Sequence, residues 1–364
     1  MNGESSGEST LAHASAIVAL PCFDQTVAFR WSGDPRDRED PMKAIVQERY
    51  GSADVLEFKD IDQPELGGDE VLVRVLAASA HIGDWHFMTG LPYLFRIAGS
   101  GLRAPKARVR GTDVAGRVEA VGKDVTQFQS GDEVFGICDG AFAEYATARP
   151  NKVAPKPANL TFEQAATVPT SGCTALQAVR NNGKVLPGQK VLIIGAAGGV
   201  GSFAVQIAKA FGAHVTGVCS TTKVDLVRSI GADDVIDYTR DDFAERGQRY
   251  DIILDIAGNR SVSHLRRALG PRGTLVIVGG EGGGRWFGGI DRQLRASMLS
   301  PFVSQKLGTF VAKANGKDLV VLKELIEAGK VTPVVDKAYP LSQVPEAIRH
   351  LEEGHARGKV AITV

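Results

Sequence analysis

The stretch "VLIIGAAGGVGSFAVQIAKAFG", residues 191–212, constrains the fold more than any other. A run of large aliphatic side chains reads as a buried strand. Small residues follow, and then a helix in which Val200, Phe203, Ala204, Ile207, Ala208 and Phe211 keep one face until Gly212 ends it. Strand, tight turn and helix in this order form the first βα unit of a dinucleotide-binding fold. Small residues let the backbone approach a pyrophosphate, whose charge faces the helix N-terminus. The spacing reads as Ala196-x-Gly198-x-x-Gly201, with alanine at the usual first glycine, or as Gly195-x-x-Gly198-x-x-Gly201; Gly199 and Val200 complete the loop. A glycine turn without a ligand is the alternative. Against it, "AHVTGV", "DVIDY", "YDIILDIAG" and "GTLVIVGG" follow at the intervals of βαβ units, which makes this an α/β region.

The end of the second strand selects the nucleotide. A carboxylate about 20 residues beyond the motif would bond the ribose 2′-hydroxyl of NAD. Here "VTGVCSTTKVD" has no acid before Asp225, and Ser220, Thr221, Thr222 and Lys223 stand in its place. Hydroxyls and a cation suit a 2′-phosphate, which a carboxylate would repel. Lys223 as a solvated charge is the alternative, although a cation at a helix start opposes the helix dipole. NADPH is the expected cofactor.

From 42 to about 165 the signals are β. "EVLVRVLAAS" alternates Val71, Val73 and Val75, and "GTDVAGRVEAVG", "GDEVFGI" and "AFAEYATA" are further short runs. After about 310 come a helix ("DLVVLKELIEAG"), a strand-like "TPVVDKAYPL", a second helix ("PEAIRHLEEG") and a last strand, "KVAITV". Residues 1–41 are polar and turn-rich with one short apolar patch, and are expected to be an extension outside the catalytic fold.

Lys+Arg and Asp+Glu both total 42, which gives no reason to expect nucleic acid or an anionic membrane as partner. Cys22, Cys138, Cys173 and Cys219 form no CxxC pair, which points to a reducing compartment; the two last read as small core residues. The most apolar region is the glycine-rich one above, so no membrane span is expected. The early "LAHASAIVALPC" is preceded by acids rather than the basic residues of a signal peptide. A cytoplasmic homodimer is the expectation.

The anchors "SAHIGDWHFMTG", "RGTDVAGRVEAVG", "GDEVFG", "GAAGGVG" and "GHARGKVAITV" resemble the medium-chain dehydrogenase/reductase superfamily, nearest its zinc-independent quinone oxidoreductase and enone reductase branch. The resemblance covers 42–364. It implies a Rossmann dinucleotide-binding domain (166–308) inserted in a GroES-like, β-rich catalytic domain (42–165 and 309–364). Zinc alcohol dehydrogenases of this superfamily place Cys, His and a third ligand where this chain has His81, Thr112 and Thr170. One imidazole and two neutral hydroxyls do not make a catalytic zinc site, so no metal is expected. His81 then matches a position lining the nicotinamide pocket, and His86 a pocket position able to face the acceptor and give its oxygen a hydrogen bond or a proton. Structural histidines packed beside Trp85 are the equal alternative, and Asp84 is expected to orient the loop through backbone bonds.

By the same resemblance Thr174 reaches the cofactor phosphates, Tyr238 lies near the adenosine 2′-phosphate, and Lys359 belongs to a segment returning to the cofactor cleft. The 91–110 stretch holds five cations and no acid and reads as a solvated charged loop. The implied activity is NADPH-dependent reduction of a quinone or of the C=C bond of an α,β-unsaturated carbonyl. An enoyl reductase for acyl thioesters and a non-catalytic NADPH-binding protein are the rival readings.

Overall fold

The computed structural model describes residues 41–280 and 284–364, so the expected extension lies, up to residue 40, outside the described residues. In the first part β1 (Met42–Gln47) pairs antiparallel with β2 (Leu56–Ile61). β3 (Val71–Ala80), β4 (Asp113–Val121), β5 (Glu133–Ile137), β6 (Tyr145–Ala148) and β7 (Val153–Pro155) follow. Val71, Val73 and Val75 of β3 are buried on one face, as the alternation predicts. From Ala77 onward every residue of β3 is buried, because the helix Phe162–Ala166 covers its second face there. Alternation is a signature of one-sided burial, and it stops where the sheet acquires a second neighbour.

The middle of the chain carries β8 (Lys190–Ile194), β9 (His214–Cys219), β10 (Asp234–Asp237), β11 (Tyr250–Asp255), β12 (Leu269–Ile277) and β13 (Lys306–Thr309). They form one parallel sheet in the order β10-β9-β8-β11-β12-β13. The order reverses between β8 and β11. Ligands of such sheets bind in the crevice outside the carboxyl ends at that switch point, here just past Ile194 and Asp255. The helix after the glycine loop, Gly199–Ala210, is buried continuously from Gly201 to Ala208 rather than on one face. The reason is the helix Pro169–Leu176, packed on its other side. The buried amide of Gln206 is satisfied there by Thr332, donating to its carbonyl at 2.9 Å and accepting from its N–H at 2.8 Å.

The closing segment returns to the first sheet. β14 (Val335–Pro340) lies parallel to β15 (Lys359–Thr363), and β15 pairs antiparallel with β3, giving the order β14-β15-β3-β4-β5-β7 with β6 also on β3. The helix Gly316–Glu327 sends Leu319, Leu322 and Ile326 into a core cluster shared by the two halves. Division of the chain at 165/166 and 308/309 stays our proposal. Just before β15, the Gly358 N–H donates to Ala197 O at 2.9 Å, stitching the closing segment to the glycine loop. Gly358 has φ +90°, and a Cβ there would stand 2.4 Å from Val334 O. Gly358→Ala is therefore expected to lower the unfolding free energy by about 1–3 kcal/mol. A urea midpoint equal to that of the unaltered protein would contradict this.

Candidate active site

The glycine loop leaves β8 through Gly195, whose φ of +85° no branched residue adopts easily. Gly201 crosses so close that a Cβ on it would meet Gly195 O at 2.0 Å, whereas one on Gly198 would find only that oxygen, at 3.5 Å. The turn is tight inside and open outside. Ala196, at the usual first glycine, is fully buried. Gly198 N-caps the helix without a side-chain acceptor. The first amides of the helix, on Gly199, Val200 and Gly201, thus point at the crevice with no intrahelical acceptor. This cradle fits a pyrophosphate.

Behind the loop lies a buried charged cluster. Lys359 is 2% exposed and Asp113 not exposed at all; Nζ and Oδ2 are 3.7 Å apart. A Cβ on Gly199 would touch the Lys359 stem at 3.0 Å, so the lysine backs the glycine loop. Asp113 accepts from the Thr170 N–H at 3.1 Å, from the Thr170 hydroxyl at 2.5 Å and from the Ser79 hydroxyl at 3.3 Å. Lys359 Nζ has no hydrogen-bond acceptor among the described residues. Burial pulls its pKa below the ordinary lysine value, and Asp113 opposes that shift. Asp113 was not singled out from the sequence; an acid just ahead of the apolar run Val114–Gly116 was the available signal.

His81 closes this cluster. It N-caps the helix Ile82–Thr89, and its own N–H donates to Asp84 Oδ2 at 2.9 Å, so Asp84 orients the loop through the backbone as expected. His81 Nε2 lies 2.9 Å from Thr112 Oγ1 and Nδ1 3.6 Å from the Asp84 carboxylate. Burial raises the Asp84 pKa, with His81 pulling it back.

His86 sits one turn on, its ring stacked on Phe95 at 5.6 Å and edge-on to Trp85 at 5.0 Å. Its Nδ1 is 2.8 Å from Leu91 O. A carbonyl oxygen only accepts, so Nδ1 carries the hydrogen and neutral His86 keeps a lone pair on Nε2. Burial holds its pKa below the ordinary 6.5, and the bond to Leu91 acts against this. The neutral ring therefore accepts at Nε2; it donates there only as imidazolium.

At the adenosine end, no carboxylate closes β9: Cys219 and Ser220 stand there. Asp237, at the end of neighbouring β10, is engaged by the hydroxyls of Thr221 at 2.5 Å and Thr239 at 2.7 Å. Lys223 reaches the closing segment, donating to Gly354 O at 3.2 Å and Ala356 O at 2.9 Å. Desolvation lowers its pKa, Asp336 opposes this, and neighbouring Arg357 lowers it further, a second cation not singled out from the sequence. Tyr238 is half exposed on the same rim, its N–H on Cys219 O at 3.1 Å. Thr174 donates its hydroxyl to Thr170 O at 2.7 Å, back along its own helix. Two cations of the 91–110 stretch are engaged by the protein itself. Arg96 donates to Thr89 O and Gly90 O, both at 2.9 Å, and lies over the Tyr50 ring; Arg110 is buried and bonded to Ala107 O at 3.1 Å. Burial raises the Cys173 thiol to about 12, in keeping with a core residue.

Residues 67–158 match the family described as alcohol dehydrogenase GroES-like domain, and residues 230–362 that described as zinc-binding dehydrogenase. The mitochondrial NAD(P)H oxidoreductase RTN4IP1 of Mus musculus is 33% identical over 96% of this chain and 97% of its own length. The chain belongs to the medium-chain dehydrogenase/reductase superfamily, in its zinc-independent quinone oxidoreductase branch. The chloroplastic NADPH-dependent alkenal/one oxidoreductase of Arabidopsis thaliana is 35% identical, over 88% of this chain and 79% of that protein. A solved quinone oxidoreductase from Coxiella burnetii superposes with a TM-score of 0.79 at 29% identity, covering 89% of this chain and 99% of that one. The chain is an oxidoreductase of the nicotinamide-nucleotide class.

Zinc does not fit this member. His81 and Thr112 are bonded to each other, and the Thr170 hydroxyl is committed to Asp113. Among the described residues no group of three His, Cys, Asp or Glu side chains could hold a metal ion. The donor chemistry of the site is that of hydrogen bonds.

Proposed function

We propose that the protein uses NADPH to reduce a quinone, or the C=C bond of an α,β-unsaturated carbonyl. The open glycine cradle at the sheet's switch point carries this reading, together with the activities named for the similar proteins above. The amides of Gly199, Val200 and Gly201 hold the pyrophosphate, with Lys359 behind them. When bound, the reduced nicotinamide supplies the hydride. The chain orients the acceptor, excludes water, and delivers a proton from His86 Nε2 to the carbonyl oxygen while Leu91 O steadies the ring through Nδ1. Selection of NADPH over NADH is supported by the missing acid at the end of β9 and by Ser220, Lys223 and Arg357 around the ribose position. A homodimer is supported by exposed Met298 and Phe302 beside the edge strand β13; light scattering at the mass of one chain would refute it. No described helix is long and apolar enough to cross a membrane. Placement in the cytoplasm rests on the three unpaired, buried thiols Cys138, Cys173 and Cys219; a fractionation that recovers the protein in an oxidising compartment would refute it.

NADPH absorbance followed with a quinone and with an enone tests the reaction. Consumption with either is expected, and kcat/KM should rise as the pH falls through the His86 pKa, which lies below 6.5. His86→Ala should remove that acid limb and lower turnover roughly 10²-fold, with NADPH affinity unchanged. Binding without consumption would sink the reaction, and an unaltered pH profile in the variant would sink the role of His86. For the cofactor, Lys223→Glu should weaken NADPH roughly ten-fold or more, and NADH far less, since one charge-assisted contact is worth about 1.5–3 kcal/mol. Equal affinity of the unaltered protein for both nucleotides would overturn the preference.

A further inference from the structure

Beyond the residues that would touch cofactor or acceptor, the two halves meet at a second place. The N–H of Tyr93 donates to Arg285 O at 2.8 Å, and that of Leu94 to Trp286 O at 3.3 Å. The Tyr93 and Trp286 rings meet edge to face at 5.3 Å. Gly288, with φ +55°, passes so near Pro92 that a Cβ on it would stand 3.1 Å from the proline ring. A short turn of the nucleotide-binding half thus lies against the residues that follow Leu91, the carbonyl that holds His86.

That turn is anchored from beneath. Arg292, third residue of the helix Ile290–Leu299, pairs with fully buried Asp255 at the end of β11. The same guanidinium donates to Arg260 O at 2.8 Å and to Gly279 O, just past the end of β12, at 3.0 Å. The Gly289 N–H closes the base of the turn on Gly280 O at 3.0 Å. One planar fork therefore ties the helix to two strand ends at the crevice, a geometry an ammonium does not reproduce.

We propose that Arg292 and Asp255 are positioning residues of the acceptor site: they hold the turn 284–289 against residues 92–94, and this contact closes the catalytic half onto the nucleotide-binding half beside His86. Neither residue touches the acceptor. Trp286, 64% exposed, and Tyr93 form the rim that an entering acceptor passes, so they set its admissible shape. This rests on the reading that the acceptor occupies the cleft at His86.

Amide hydrogen exchange on the full-length protein tests the contact without any turnover. In Arg292→Met the amides of Tyr93 and Leu94 should exchange at least ten-fold faster, while those of β11 and β12 keep their protection. In the same variant the KM for the acceptor should rise ten-fold or more, with kcat and the NADPH Kd within three-fold. Should Arg292→Met not fold, Trp286→Ala at the exposed rim reports on the same contact; a raised acceptor KM at unchanged melting temperature is expected. Unchanged exchange at Tyr93 and Leu94 in Arg292→Met overturns the proposal, and so does faster exchange with an unaltered acceptor KM. For Trp286→Ala, an acceptor KM equal to that of the unaltered protein overturns it. If the unaltered protein consumes no NADPH with any acceptor, the functional reading fails by itself, and faster or unchanged exchange still decides whether the pair holds the turn.

Discussion

An ammonium and a carboxylate, both taken out of water, face each other where β15 meets the cofactor loop. Removing two such charges from water costs several kcal/mol for each ion, and only their attraction and further hydrogen bonds offset it. The compensation is lopsided: Asp113 accepts three hydrogen bonds, while Lys359 Nζ has none among the described residues. Asp113 comes from β4, Thr170 from the helix that packs on the nucleotide helix, and Lys359 from the last strand. With Ser79 of β3, four separate passages of the chain converge on one charge pair. The lysine stem lies against Gly199, so the glycine loop, where we propose the pyrophosphate binds, rests on this pair too.

The chemistry follows from what this centre lacks and what surrounds it. The positions that hold zinc in related dehydrogenases carry one imidazole and two hydroxyls, already bonded to Asp113 or to one another. Polarisation of a carbonyl is then left to hydrogen-bond donors in a site shielded from water, where each is worth more than in solution. In the role we propose for it, His86 donates only after taking up a proton, because Leu91 O fixes its tautomer. The aromatic rings of Trp85 and Phe95 exclude water around it, and that same burial keeps its pKa low. Stronger donation and scarcer protonation have one cause.

Much of the scaffold was legible because its signals are local. The period of β3 and the order of strand, glycine turn and helix at 191–212 are set by neighbours in sequence, and the structure carries both. The insertion of a Rossmann domain in a GroES-like one followed from the resemblance rather than from any residue. Asp113 was hidden because its partners lie 34, 57 and, by position, 246 residues away along the chain (Ser79, Thr170 and Lys359). Arg96 and Arg110 read as solvated charges, since nothing in "FRIAGSGLRAPKARVR" announces the Tyr50 ring or the backbone carbonyls that receive them. The all-round burial of Gly201–Ala208 was missed for a similar reason: the second covering helix lies upstream and packs only in the fold. A tautomer is never legible in sequence, because it depends on which oxygen the backbone brings to the ring.

Unfolding free energies of Lys359→Met, Asp113→Asn and the double variant measure the central pair directly. Each single change leaves a buried charge without its counter-ion, and a loss of about 3–5 kcal/mol is expected. The double variant should lose much less than the sum, with a coupling of about 1–3 kcal/mol. Additive losses would show that the two charges do not hold each other, and that the cofactor loop rests on packing alone.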